Sequence, residues 1–347
     1  MSELSVTHLT KKMEDKILVE DISFTVEEGN VFAIVGPSGA GKTTILRLIC
    51  GLDQPTSGSI HYQDKEITHL KPNERGFTFV FQDGALFPHL TVEKNIGYGL
   101  KPYGYTKEKI QENIQTYTKL LKINHLLDRY PSSLSAGEKQ RVGIARAFVR
   151  EPKLILLDEP FSNLDPLLKE ELKKDLMAIQ KKQNQTMILV THDQNEALEL
   201  ANEILVIKDG KYVECNIPSE LYRNPRNLFT AQFIGIPQMN LLSLSTIDAH
   251  SFSIFSHKRQ IEKELPMEIV VGIRCEDIQL DEQGEFEGKI IDIRQFMDRY
   301  LIDLQIGEDI LSFYSNTIEE LNSIVHFSID FDKIHLFDRE SGKLIEI

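Results

Sequence analysis

The chain has 347 residues, 41% hydrophobic and 27% charged, which suits a globular protein with one large and one small domain. No stretch reaches the roughly 18 consecutive apolar residues of a membrane-spanning helix, and the first 16 residues contain no apolar signal core, so the expected location is intracellular. The net charge is −14; after residue 235 there are 22 acidic and 10 basic residues, against 31 and 29 before, and so acidic a surface argues against nucleic acid as a partner.

Alternation marks strands over residues 4–9 and 22–26, and the turn Glu27-Glu28-Gly29-Asn30 leads into the continuous apolar run 31–35, which reads as a buried strand. Gly36-Pro37-Ser38-Gly39-Ala40-Gly41-Lys42-Thr43-Thr44 follows it and fits G-x-x-x-x-G-K-[ST]. Next comes a helix with Ile45, Leu46, Leu48 and Ile49 on its apolar face, ending near Gly51. In that setting small residues let backbone N–H groups close around a phosphate at the positive end of a helix. Lys42 then reaches the β- and γ-phosphates, and the Thr43 hydroxyl holds Mg²⁺. The bland alternative, a glycine-rich turn without a ligand, does not call for the full spacing and both flanks.

Ser59-Ile60-His61-Tyr62 is a further short strand after the turn Pro55-Thr56-Ser57-Gly58, and the nucleotide site is expected to be preceded by mainly antiparallel β-structure. Residues 77–81 form an apolar strand ending at Gln82. Gly97-Tyr98-Gly99 lacks the third glycine and the strand–helix setting of a dinucleotide fingerprint. Residues 106–122 form an amphipathic helix with Ile110, Ile114, Tyr117 and Leu121 on one face. In Leu134-Ser135-Ala136-Gly137-Glu138, Ser135 and Glu138 make a capping box. The stretch is therefore either a plain helix start or a second anion-binding N-terminus built from Ser135 and the Gly137 backbone.

Residues 154–157 are apolar throughout and read as a central parallel strand. Asp158 and Glu159 at its carboxyl end call for a cation, which Mg²⁺ bound to a nucleotide would supply; a solvated pair is the alternative. Residues 166–183 form a helix with Leu168, Leu172, Leu176 and Ile179 on one face. The strand 187–191 follows, with His192 at its end beside the two carboxylates. Cys50, Cys215 and Cys275 are far apart with no C-x-x-C, so they read as buried thiols rather than a disulfide framework or zinc site.

In this order and spacing the motifs resemble the ATP-binding subunits of ABC transporters over about the first 235 residues. They correspond to the Walker A loop (36–44), Q-loop (Gln82), signature (134–138), Walker B (154–159), D-loop (Ser162-Asn163-Leu164-Asp165) and switch histidine (His192). The resemblance implies an α/β fold: a P-loop ATPase domain over 1–235 with a mixed sheet, an antiparallel β-subdomain and a helical subdomain, then a smaller all-β domain over 236–347. It also implies a head-to-tail dimer, of identical or paralogous chains, with ATP between one subunit's P-loop and the other's signature helix. Carried over residue by residue, Thr43, Gln82 and Asp158 attend Mg²⁺, Glu159 is the general base, and His192 contacts the γ-phosphate. Ser135 and Gly137 bind that phosphate in trans, and Asp165 contacts the partner subunit.

Two departures stand out. The usual signature L-S-G-G-Q is here L-S-A-G-E, with Ala136 narrowing the approach and Glu138 better suited to the cap than to a phosphate. At the position that usually stacks an aromatic ring on adenine stands Met13.

After residue 235, Ile236-Pro237-Gln238-Met239-Asn240, then Val271-Gly272-Ile273-Arg274-Cys275-Glu276-Asp277, then Phe331-Asp332-Lys333-Ile334-His335 resemble landmarks of the transport-associated OB-like domain of importer ATPases. The alternating runs 289–293 and 300–306 agree with an all-β reading. The expectation is thus an ATPase at the cytoplasmic face of the membrane. It is held there by permease subunits, docks them through Gln82 and the segment from Asp83 to Leu90, and works with an extracytoplasmic solute-binding protein. Carbohydrate is the first cargo class, with ferric ion, polyamine and oxyanion as alternatives. A soluble, non-transport ABC protein is the competing class; it expects tandem ATPase halves, a coiled-coil insertion or a basic surface, and none is present.

Overall fold

The computed structural model describes residues 2–82, 84–296, 298–317 and 319–346. Its contacts divide the chain into two units, Met1–Pro218 and Ser219–Ile347. The first is built on a ten-stranded mixed sheet, in the order Lys65–Glu66, Ser57–Tyr62, Ser2–Met13, Lys16–Glu27, Lys211–Asn216, Glu203–Lys208, Val31–Val35, Thr186–Thr191, Leu154–Asp158 and Phe77–Val80. The last five of these strands run parallel, while the Ser2–Met13 strand pairs antiparallel on both sides.

The apolar runs are continuous because both faces of the parallel part are covered. Leu154, Leu156, Ile188 and Val190 point into one core, which they share with Ile45, Leu46 and Ile49 of the helix Lys42–Cys50. Ile155, Leu157, Met187 and Leu189 point into the other, which they share with Ile144 and Phe148 of the helix Ala136–Phe148 and with Leu172 and Leu176 of the helix Pro166–Gln183. Ile114 and Tyr117 of the helix Lys107–Leu120 extend this second core.

The first two strands are longer than alternation indicates. Register shifts between Val6 and Leu9 and again near Lys11 break the alternation, while pairing continues to Met13 opposite Lys16.

The second unit opens with the short helices Pro218–Arg223 and Leu228–Phe233 and is mainly β from Asn240 onward. Six antiparallel strands, His257–Gln260, Ser251–Ile254, Asn240–Asp248, Glu268–Ile273, His335–Asp338 and Leu344–Ile345, form one sheet. Five more, Ile278–Leu280, Ile324–Ile329, Phe286–Phe296, Arg299–Ile306 and Asp309–Ser315, form the other. The two enclose a common core that includes Val271, Ile273, Ile290, Ile302, Phe313, Phe327 and Leu336, an OB-like arrangement.

The division falls at Pro218/Ser219 rather than after Gly235, the boundary the sequence suggests. The stretch 219–235 is tied into the β-unit: the buried Arg274 guanidinium donates to Tyr222 O (2.7 Å) and Ile234 O (2.8 Å), and Leu228 N donates to Gly342 O (2.7 Å).

Candidate nucleotide-binding and catalytic site

The strand Val31–Val35 is wholly buried and delivers the chain to Gly36. A Cβ at Gly36 would stand 2.2 Å from Ile207 O, and one at Gly41 would stand 2.6 Å from Leu18 O. Gly41 also has φ +98°, so both positions are closed to other residues by backbone contact. A Cβ at Gly39 would meet nothing within 4 Å. The helix Lys42–Cys50 starts on Gly41 with no side-chain cap, leaving its first-turn N–H groups to a ligand. Lys42 Nζ folds back over the loop and donates to Gly36 O and Pro37 O, both at 2.9 Å. Burial pulls its ammonium below the ordinary lysine range, against the pull of Glu159 and Asp158.

The neighbouring parallel strands bring the remaining candidates to their carboxyl ends, where open parallel sheets place ligands. Thr43 Oγ1 donates to Asp158 Oδ1 at 2.9 Å. Burial raises the Asp158 carboxyl, partly offset by the Thr43 bond, with the Glu159 charge raising it further. Glu159 Oε2 accepts from Gln82 Nε2 at 3.4 Å and lies 3.1 Å from His192 Nδ1. The Glu159 backbone is left-handed, φ +45°, an unusual state for a non-glycine residue that functional sites retain when the surroundings enforce it. Enforcement comes from Glu159 N donating to Val190 O (2.9 Å) and from Ser162 Oγ donating to Glu159 O (3.1 Å). Lys42, Thr43, Gln82, Asp158, Glu159 and His192 thus form one cluster.

Ser162 also accepts from Gln82 Nε2 at 3.1 Å, a role that its place in the D-loop stretch did not reveal. The Thr43 hydroxyl and Asp158 carboxylate are hard oxygen donors within reach of one another, a set that suits Mg²⁺. Among the described residues no group of three or more His, Cys, Asp or Glu could hold a metal alone, as expected for an ion that takes most of its ligands from phosphate and water.

The other candidates have local partners of their own, although Ala136 of the signature lines a cavity with Gln82. Ser135 Oγ accepts from Glu138 N (3.3 Å) and Glu138 Oε2 accepts from Ser135 N (2.8 Å), so the capping box is formed. A Cβ at Gly137 would lie 3.1 Å from Leu168 Cδ1, so this helix start packs against the start of Pro166–Gln183, where Asp165 caps Leu168 N at 3.1 Å. Met13 is 62% exposed at the end of its strand.

Asp83, the first residue of the expected docking segment, lies outside the described residues. The rest of that segment is braced by Asn95, whose side chain bonds Phe87 N, Phe87 O and Leu90 O, and by Arg146, which donates to Gly84 O and Ala85 O. Beside it lies a groove of about 440 Å³ that includes Phe79, Phe81, Phe87, Tyr98 and Tyr103.

Residues 19–162 match the family model described as "ABC transporter". The chain is 35% identical to the xylose/arabinose import ATP-binding protein XacJ of Haloferax volcanii, covering 99% of this chain and 96% of that protein. It is 36% identical to the sn-glycerol-3-phosphate import ATP-binding protein UgpC of Yersinia pseudotuberculosis (95% and 95%). Identity to the Fe(3+) ions import ATP-binding protein FbpC of Fusobacterium nucleatum is 34% (99% and 95%). Among solved structures it resembles cbiO1 of Clostridium perfringens, part of the ABC transporter complex cbiONQ, with TM-score 0.60, 30% identity, and 64% and 91% of the two chains covered. It also resembles a dimeric ATP-binding cassette in a post-hydrolysis state bound to ADP and Pi, with TM-score 0.57, 29% identity, and 62% and 98% covered.

Proposed function

Since the chain belongs to the ATP-binding subunits of ABC transporters, we propose that it hydrolyses ATP to drive solute import, with carbohydrate as the first cargo class. The observation that carries this is the convergence of Thr43, Gln82, Asp158, Glu159 and His192 at the strand ends beside an uncapped P-loop helix. The P-loop N–H groups and Lys42 hold the phosphates, and Thr43 and Asp158, with Gln82, attend Mg²⁺, which neutralises phosphate charge when bound. Glu159 takes the proton of the attacking water. Its Oε2 is oriented by Gln82 and His192, and His192 is in place to reach the γ-phosphate.

Ser135 and Gly137 serve the nucleotide of a second subunit, identical or paralogous, and Asp165 lies at the contact between subunits. No helix among the described residues is long and apolar enough to cross a membrane. The aromatic groove beside residues 84–90 suits a cytoplasmic helix of a permease, which holds the subunit at the cytoplasmic face. Ferric ion is the alternative cargo, since FbpC and XacJ are nearly equal in identity; ATPase stimulation of the assembled complex by each solute separates the two.

The assignment of Glu159 is tested by steady-state ATP hydrolysis of Glu159→Gln. Loss of a positioned base slows hydrolysis by about 10²–10⁴-fold with ATP binding retained. A rate within a few-fold of wild type refutes it.

A further inference from the structure

His192 stands between two residues whose side chains belong to a closed network outside the cluster described above. Thr191 Oγ1 donates to Glu196 Oε2 at 2.5 Å and accepts from Asp193 N at 3.0 Å. Lys169 Nζ lies 2.6 Å from Asp193 Oδ2 and 2.7 Å from Glu196 Oε1. Thr191 and Glu196 are buried, at 2% and 3% exposure, while the Lys169 and Asp193 side chains are half-buried, so the Glu196 end of the network is the part shielded from the solvent that makes surface ion pairs weak. Burial pulls the Lys169 ammonium down, but its bonds to Asp193 and Glu196 outweigh this and its pKa stands above the ordinary lysine value.

Lys169 sits one turn into Pro166–Gln183, the helix that starts on Asp165. Asp193 caps the next helix, Gln194–Leu200, accepting from Asn195 N at 2.9 Å. One ammonium therefore clamps the start of the Asp165 helix to Asp193 and Glu196 directly, and through Glu196 to Thr191 on the other side of His192.

We propose that Lys169 is a positioning residue: through Asp193 and Glu196 it fixes the backbone around His192 and ties the imidazole's placement to the helix that Asp165 begins. The inference rests on the ATPase reading above. Its consequence is that a shift at the Asp165 helix, such as a second subunit would impose, is transmitted to His192 rather than absorbed by a loose turn. The bond from Glu196 to Thr191 alone cannot do this, because all its members lie on the His192 side.

The test compares full-length wild type, Lys169→Met, Lys169→Arg and the double variant Lys169→Met/Glu196→Gln. It reads kcat and KM for ATP together with the imidazole ¹⁵N shifts of His192, assigned with His192→Gln. Misplacing a catalytic group by about 1 Å can cost about 10²-fold. Lys169→Met is therefore expected to lower kcat by about 10- to 100-fold, to leave KM within about twofold and to move the His192 shifts, while Lys169→Arg restores the wild-type pattern.

The double variant removes the unpaired buried carboxylate that the single variant leaves, so it guards against simple unfolding. It is expected to stay slow with displaced His192 shifts, because the tie to the helix is still cut. Recovery of kcat in the double variant, or unchanged His192 shifts in folded Lys169→Met, overturns the inference. A wild type that binds ATP without hydrolysing it overturns the ATPase reading instead.

Discussion

Two helix starts in this protein carry sequence marks of a phosphate site, and they are built in opposite ways. The helix Lys42–Cys50 begins on Gly41, in a left-handed conformation and without a side-chain cap. The helix Ala136–Phe148 begins on Ser135 and has a closed capping box with Glu138. At the first, the N–H groups are open to a ligand and Lys42 adds a cation. At the second, Ser135 N and Glu138 N are already bonded within the capping box, and the Glu138 carboxylate lies at the helix start. The lesson is that helix dipole and position do not by themselves make an anion site; what the first turn has already bonded decides how much is left to offer. The contrast predicts that the P-loop is the stronger of the two anion sites.

The largest effect on ATP affinity should come from removing the cation of the open helix start. Hydrogen bonds to charged groups contribute about 1.5–3 kcal/mol; at about 1.4 kcal/mol per factor of ten, Lys42→Ala should weaken ATP by about 10- to 100-fold. Equilibrium titration checks this, and an affinity within twofold of wild type would show that the open start does not carry the binding.

At the capped start the comparison is sharpened by separating cap from charge. Ser135→Ala removes a cap worth about 1 kcal/mol, visible as a lowered unfolding midpoint. Glu138→Gln keeps a capping side chain without its charge. It should leave the unfolding free energy within about 0.5 kcal/mol of wild type while strengthening ATP-dependent association several-fold. Weaker association in Glu138→Gln would mean that the carboxylate assists the partner's nucleotide.

The smallest effect belongs to the base. An aromatic ring adds roughly 0.5–1.5 kcal/mol on stacking, so Met13→Tyr should tighten ATP by at most about tenfold, with kcat nearly unchanged. No response in a parallel titration of ATP and GTP would place Met13 away from the purine.

Much of this was legible in sequence because the signals are local. The P-loop glycines, the apolar run before Asp158 and the S-x-x-E of the second helix each act within one element. What was not legible depends on contacts made across the fold. The strands Glu203–Lys208 and Lys211–Asn216 carry a local mark too, the hairpin turn Asp209-Gly210 between them, but their places in the sheet, beside Val31–Val35 and Lys16–Glu27, are set across the fold. Register shifts in Ser2–Met13 hid its length. The unit boundary moved because Arg274 and Gly342 recruit residues 219–235, contacts that no local pattern announces. The left-handed backbone of Glu159 is likewise imposed from outside, by Val190 and Ser162.

On the reading proposed above, the two helix starts serve one nucleotide only when two chains come together, and sedimentation equilibrium of full-length Glu159→Gln, which is expected to retain ATP, tests this directly. A composite site gives a monomer that becomes a dimer when ATP and Mg²⁺ are added and returns to monomer with ADP. An unchanged mass at saturating ATP contradicts it.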